Sequence, residues 1–120
     1  MSKTIRVQAC LAAVQEDQIL LVPHYDETEC VVRWCLPEGT VKFGESVQVA
    51  ALRGFTEATG LEARIENLLD VTEVRPSTQM CHRITVTFRG RVIGGQLRAS
   101  PNRRDGNEHP RWVRRPRTQV

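Results

Sequence analysis

Acidic side chains and one arginine are concentrated in the segment "PEGTVKFGESVQVAALRGFTEATG" at residues 37–60. Its acids are Glu38, Glu45 and Glu57, and Arg53 stands four residues before the last of them. Carboxylate oxygens suit Mg²⁺ and Mn²⁺, and a bound divalent ion can activate water for attack on a phosphorus atom. Positions 54, 57 and 58 share one face of a helix, but only position 57 is acidic. The segment therefore has parts of a metal-dependent hydrolytic site, with an incomplete acidic cluster.

The spacing across residues 34–61 resembles the signature of the Nudix hydrolase family, G-x(5)-E-x(7)-R-E-U-x-E-E-x-G-U, where U is a bulky apolar residue. The positions that match the signature are Gly39, Glu45, Arg53, Phe55, Glu57, Gly60 and Leu61. The residues around it that are also similar to the family are Trp34, Leu36, Pro37 and, shortly before "RWV", Glu108. The resemblance runs through most of the chain, and it implies the Nudix fold.

The resemblance also implies roles for individual residues. In the family, the helix acids coordinate divalent ions, one acid can serve as general base, and the arginine orients the acids. Carried over to this chain, Glu45 and Glu57 become ligands of Mg²⁺ or Mn²⁺, with Arg53 in support. Glu108 becomes a further metal ligand. The expected substrate-binding residues are Gly39 and Trp34.

The chain departs from the signature at two positions, because Gly54 and Ala58 stand where the family has glutamates. Losing an essential acid typically removes orders of magnitude of rate. One hypothesis is that Glu38, at a position commonly glycine in the family, completes an altered acidic site with Glu45 and Glu57, helped by Glu73 or Glu108. The alternative is that Glu38 is a solvated loop acid. Gly54 itself indicates either drift after loss of function or a need for room.

The predicted helix and strands that position these residues indicate one α/β (α+β) domain over residues 1–120. We expect it to be a Nudix-like mixed β-sheet sandwich with one clear helix. That helix is predicted over residues 46–60, with Ser46 as N-cap and Gly60 at its end. Alternating and β-branched segments predict strands at 4–14, 19–25, 31–36, 61–74 (with a possible bend), 82–93 and 111–113, and residues 37–45 read as a loop. The chain stops eight residues after Trp112, and Pro116 disfavours a helix there. A C-terminal helix is therefore expected to be absent.

Composition narrows the classes of function. The chain has 120 residues, 40 % of them hydrophobic and 26 % charged, which is typical of a soluble globular domain. No apolar run reaches the length of a membrane span, and the N-terminus lacks the apolar core of a secretory signal, so we expect a cytoplasmic protein without a membrane partner. Residues 98–117 hold seven arginines against Asp105 and Glu108. Such a basic segment attracts phosphate-bearing ligands, but too few aromatic residues are interleaved to favour nucleic acid.

Two functions from different classes follow from these residues. The first is a hydrolase that cleaves the pyrophosphate of a nucleoside diphosphate linked to another moiety, with weak or altered activity. The alternative is a catalytically inactive Nudix domain that binds a nucleotide or a protein partner. Because the usual C-terminal helix is expected to be missing, either a second copy in a homodimer or the 98–107 loop is expected to cover one sheet face.

Overall fold

A computed structural model describes residues 4–26, 29–75, 81–98 and 109–114, which form a mixed seven-stranded sheet and one α-helix. The elements are β1 (Thr4–Gln15), β2 (Gln18–Asp26), β3 (Val31–Cys35), β4 (Glu38–Thr40), α1 (Val47–Thr59), β5 (Leu61–Val74), β6 (Cys81–Gly95) and β7 (Arg111–Arg114). The predicted α+β class with one clear helix is confirmed. The predicted lack of a C-terminal helix falls on residues 115–120, outside the described residues. Across the described ranges, no helix is long and apolar enough to cross a bilayer.

The sheet is built around its two central strands, β1 and β6, which run parallel to each other. The strand order is β3-β2-β1-β6-β5, with β4 paired to β1 and β7 paired to β2, and every pairing except β1–β6 is antiparallel. Glu16 and Asp17, at φ 50° and 70°, join β1 to β2. Two consecutive positive φ values are typical of a tight hairpin turn.

Helix α1 begins and ends where its capping residues predict. The Ser46 hydroxyl accepts a hydrogen bond from the Val49 N–H at 3.1 Å. At the other end Gly60 adopts φ 83°, and its N–H donates to the Thr56 carbonyl. A left-handed residue at this position is readily supplied by glycine, which has no Cβ to clash. The local chemistry therefore fixes the length of the helix within one residue of the prediction.

The hydrophobic core lies between α1 and one face of β1. Ala9, Leu11 and Ala13 alternate along the strand and are fully buried, as are Ala50, Ala51 and Phe55 of the helix. Alanines on both surfaces let the helix lie close to the sheet, while Phe55 and Leu11 supply most of the buried apolar bulk at this contact.

The segment before the helix differs from the prediction, because part of the expected loop is the short strand β4. Its pairing places Ala9 opposite Gly39 and Cys10 opposite Glu38. Backbone hydrogen bonds on either side, from Leu11 N–H to the Pro37 carbonyl and from Val41 N–H to the Val7 carbonyl, hold it to β1. A three-residue strand containing glycine has no period-two pattern to reveal it. In β5, where a possible bend is predicted, the pairing with β6 has three register shifts of the kind that bulges produce.

Candidate functional site

The backbones of α1 and β4 are in direct contact at two glycines. A Cβ added to Gly54 would lie 2.5 Å from the carbonyl C and O of Glu38 and from the N of Gly39. A Cβ on Gly39 would lie 2.5 Å from the Ala50 carbonyl oxygen. Separations this short require the helix or the strand to move, so position 54 has no room for a side chain. Of the two explanations for Gly54, the structure favours the need for room.

Arg53 ties the loop before the helix to the helix itself. Its Nε and one terminal nitrogen donate to the two carboxylate oxygens of Glu45, at 2.8 and 2.9 Å, and the same terminal nitrogen donates to the Thr40 carbonyl at 2.7 Å. The Lys42 N–H also donates to Glu45 at 3.0 Å. These hydrogen bonds, above all those from Arg53, lower the pKa of Glu45 from 4.5 to about 2. A bidentate arginine–carboxylate pair is the strong, geometrically specific kind.

The acids expected to bind metal are engaged by this arginine. The other terminal nitrogen of Arg53 lies 3.4 Å from a carboxylate oxygen of Glu57, whose side chain is 64 % exposed. Over the described ranges, no group of three or more His, Cys, Asp or Glu side chains is placed to hold a metal ion. Glu45 and Glu57 by themselves therefore do not form the kind of Mg²⁺ or Mn²⁺ centre that the resemblance implies. Glu108 lies outside the described residues, and Glu73 lies 2.6 Å from the His82 ring.

A cavity of about 410 Å³ lies beside the other face of β1 and β4. Gln8 and Thr40, which stand opposite each other in the pairing of the two strands, both line it, whereas the next pair, Ala9 and Gly39, faces α1. The cavity's remaining polar and charged side chains are His24, Arg33, Cys35, Glu38 and Arg83. Ala58 brings the C-terminal part of the helix into the cavity wall, so the glutamate missing at position 58 is missing from this wall.

Glu38 is the one acidic side chain that lines the cavity among the described residues, and a buried thiol contacts it. The Sγ of Cys10 donates to a Glu38 carboxylate oxygen at 3.5 Å. Burial, and next the negative charge of Glu38, raise the pKa of Cys10 from 9.0 to about 12. Because this thiol stays protonated at neutral pH, it acts as a hydrogen-bond donor to Glu38 and not as a nucleophile.

The structure places the two expected substrate-binding residues outside the cavity lining. Gly39 lies in the contact between α1 and β4. The ring of Trp34 lies under the guanidinium of Arg111, 4.7 Å from its carbon, while the neighbours of Trp34 on β3 line the cavity. Several lining residues have no role in the sequence-based prediction, among them Gln8, Arg33 and Arg83. Gln8 carried a usable signal, because it is a polar residue between the apolar Val7 and Ala9 of β1.

Known proteins are similar to this chain in sequence and in fold. A family model for the NUDIX domain matches residues 4–118. An ADP-ribose pyrophosphatase of Methanocaldococcus jannaschii is 35 % identical over 72 residues, which are 60 % of this chain and 43 % of that protein. A Bacillus subtilis protein, provisionally named an 8-oxo-dGTP diphosphatase, is 37 % identical over 101 residues, 82 % of this chain and 59 % of that protein. The chain thus spans about half the length of these relatives.

Solved structures of other proteins have a fold similar to that of this chain. The MutT NUDIX hydrolase of Burkholderia pseudomallei superposes with a TM-score of 0.76 at 24 % identity, covering 92 % of this chain and 84 % of that chain. A NUDIX hydrolase of Nitrosomonas europaea gives a TM-score of 0.72 at 22 % identity, covering 92 % and 73 %. With the family model matching nearly the whole chain, and with the arginine-centred loop and helix in place, this protein belongs to the Nudix hydrolase family.

Proposed function

We propose that this Nudix domain binds a nucleotide derivative in the cavity beside β1 and β4, and that its divalent-metal-dependent cleavage of a pyrophosphate linkage is weak. The observation that carries the proposal is the position of Ala58. It lines the cavity where the family has a glutamate, while Glu45 and Glu57 are engaged by Arg53. The names of the relatives, an ADP-ribose pyrophosphatase and a provisional 8-oxo-dGTP diphosphatase, support a nucleotide derivative as the ligand class.

The charge at the helix gives the physical reason for weak turnover. A Mg²⁺ or Mn²⁺ ion requires several oxygen ligands, and its attraction to the protein grows with the number of nearby carboxylates. Of the positions 54, 57 and 58, only Glu57 offers a carboxylate, and Arg53 lies close to it. A lone, exposed carboxylate beside a guanidinium binds a divalent ion poorly.

A second candidate is efficient hydrolysis with a rearranged set of acids. It is favoured by one contact, because Glu38 lines the cavity and is held there by the Cys10 thiol. In this alternative, Glu38 supplies the acid that is missing at position 58. The two candidates predict opposite responses to changes at positions 38 and 58.

The test is a hydrolysis screen over nucleoside triphosphates, dinucleoside polyphosphates and ADP-ribose, with Mg²⁺ and with Mn²⁺. It compares the wild type with Ala58→Glu, whose new side chain extends into the cavity. Gln48→Glu is the matched control, because it adds the same charge at an exposed position of the same helix. We expect slow turnover in the wild type and in the control, and a rise of about tenfold or more in Ala58→Glu, which is below the full contribution of a well-positioned acid or base because position 54 remains glycine.

Other results would count against the proposal in distinct ways. Fast hydrolysis by the wild type that Glu38→Ala abolishes would favour the rearranged site. Fast hydrolysis that persists in Glu38→Ala would contradict both candidates. If none of these nucleotides binds or reacts, the assignment of the ligand class is wrong.

A further inference from the structure

The charge of the cavity lining is opposite to that expected of a metal site. Two arginines, Arg33 and Arg83, line the cavity together with His24, and Glu38 is the one acid there among the described residues. Guanidinium groups remain charged at every accessible pH, and their planar N–H groups match pairs of phosphate oxygens. The cavity therefore already carries a positive charge of the kind that a bound cation would otherwise bring to a diphosphate.

The arginines come from different strands, so they can hold a ligand from two sides. Arg33 lies on β3 directly opposite His24 of β2. Arg83 lies on β6 beside Arg6 of β1. A diphosphate offers several charged oxygens, and cations that approach it from separate strands can contact both phosphates without a bridging metal ion.

Gln8 supplies a second, independent sign of a ligand. Its side chain lines the cavity, and its Oε1 is buried without a hydrogen-bond partner among the described residues. Buried polar atoms in native proteins are normally paired, so an unpaired acceptor at a cavity indicates a donor from outside these residues, supplied by water or by a ligand. The amide can turn to present either its oxygen or its nitrogen. A phosphate alone cannot donate to this oxygen, whereas a base amino group or a ribose hydroxyl can.

We propose that the cavity binds a nucleoside diphosphate derivative without a divalent cation. Arg33 and Arg83 contact the phosphate oxygens, and Gln8 accepts a hydrogen bond from an N–H or O–H of the part that carries no phosphate. The inference rests on the proposed function, because it specifies how the ligand of that same cavity is held. Binding of this kind does not require acids at positions 54 and 58.

Isothermal titration calorimetry with ADP-ribose and with inorganic pyrophosphate tests the inference directly. Each probe is titrated into the full chain in Mg²⁺ buffer and in EDTA buffer. We expect Kd for ADP-ribose to agree within about twofold between the buffers and pyrophosphate to bind more weakly. Binding of ADP-ribose in Mg²⁺ buffer alone would overturn the inference while the proposed function stands. Absence of binding in both buffers would overturn the inference for this ligand, and the proposed function would fail with it only if the other nucleotides of the hydrolysis screen also neither bound nor reacted.

Single substitutions test each proposed contact between the cavity and its ligand separately. Arg83→Gln and Arg33→Gln should each weaken ADP-ribose binding by about tenfold, as expected for the loss of a charge-assisted hydrogen bond. Arg91→Gln is the matched control, because Arg91 lies on the same strand as Arg83, is 60 % exposed and is absent from the cavity lining. Gln8→Leu should weaken ADP-ribose and leave pyrophosphate unchanged. Thermal unfolding of each variant verifies the fold, and equal binding by Arg83→Gln and Arg91→Gln would refute the assignment.

Discussion

Replacing Gly54 with alanine adds a single Cβ atom, which has two opposing effects on the free energy of unfolding. In an ordinary helix interior, glycine to alanine stabilises by about 1 kcal/mol. Here the added Cβ would lie 2.5 Å from three backbone atoms of Glu38 and Gly39, so α1 or β4 must shift. Overpacking of this kind costs about 1–3 kcal/mol. The net expectation is a loss of stability of about 1 kcal/mol, which lowers Tm by about 4 °C in a domain of this size.

The assay is chemical denaturation of the wild type, Gly54→Ala and a control, Gly94→Ala. A Cβ on Gly94 meets no atom closer than the Glu62 carboxylate oxygen at 3.6 Å. The control should therefore be neutral or slightly stabilising. If Gly54→Ala raised the free energy of unfolding by about 1 kcal/mol, as helix propensity alone requires, the close contact between helix and strand would be refuted. Position 54 would then be open to an acid after all.

Two further predictions follow from the titrating groups of the site. Because Arg53 and the Lys42 N–H lower the pKa of Glu45 from 4.5 to about 2, its ionised form contributes stability above pH 4.5, and that contribution is lost as the pH falls towards 2. Denaturation across this range should show a steeper loss in the wild type than in Glu45→Gln, and parallel curves would contradict the pairing. Glu38→Gln should lower the pKa of Cys10 below about 12, although burial, the larger cause, keeps it above 9.0. Alkylation of Cys10 against pH, followed by peptide mass spectrometry, measures this, and an unchanged pKa would place Glu38 away from the thiol.

The sequence predicted those parts of the fold that are encoded by neighbouring residues. Ser46 and Gly60 mark the helix ends through backbone hydrogen bonds that lie within one turn, so the observed helix differs from the prediction by one residue at each end. The alternation in β1 correctly predicts a strand, but burial does not follow it throughout, because Ile5 is 69 % exposed and Cys10 and Ala12 on the opposite face are also buried. Strand β4 is not predicted, because three residues are too few to show an alternating pattern. Its formation depends on hydrogen bonds to β1, some thirty residues away in the sequence.

The site was less predictable than the fold, because a cavity is formed by residues that are distant in sequence. The signature spacing marks Glu45 and Arg53 as a pair, and the two side chains are in contact. This contact holds the loop on the helix. Nothing local indicates that Arg33 and Arg83, fifty positions apart, line the same cavity as Gln8. Which side chains meet in the cavity depends on the strand order of the whole sheet and on the face that each strand presents to the cavity.

The two missing glutamates are therefore different kinds of change, although the family signature treats them alike. Position 54 lies against the backbone of β4, where even a methyl group requires the helix to move, so an acid cannot return there by a single substitution without cost. Position 58 lies in the cavity wall, where a longer side chain has space. The close packing of helix and strand and the glycine at position 54 therefore depend on each other, whereas the residue at position 58 sets the chemistry of the cavity wall without constraining that packing.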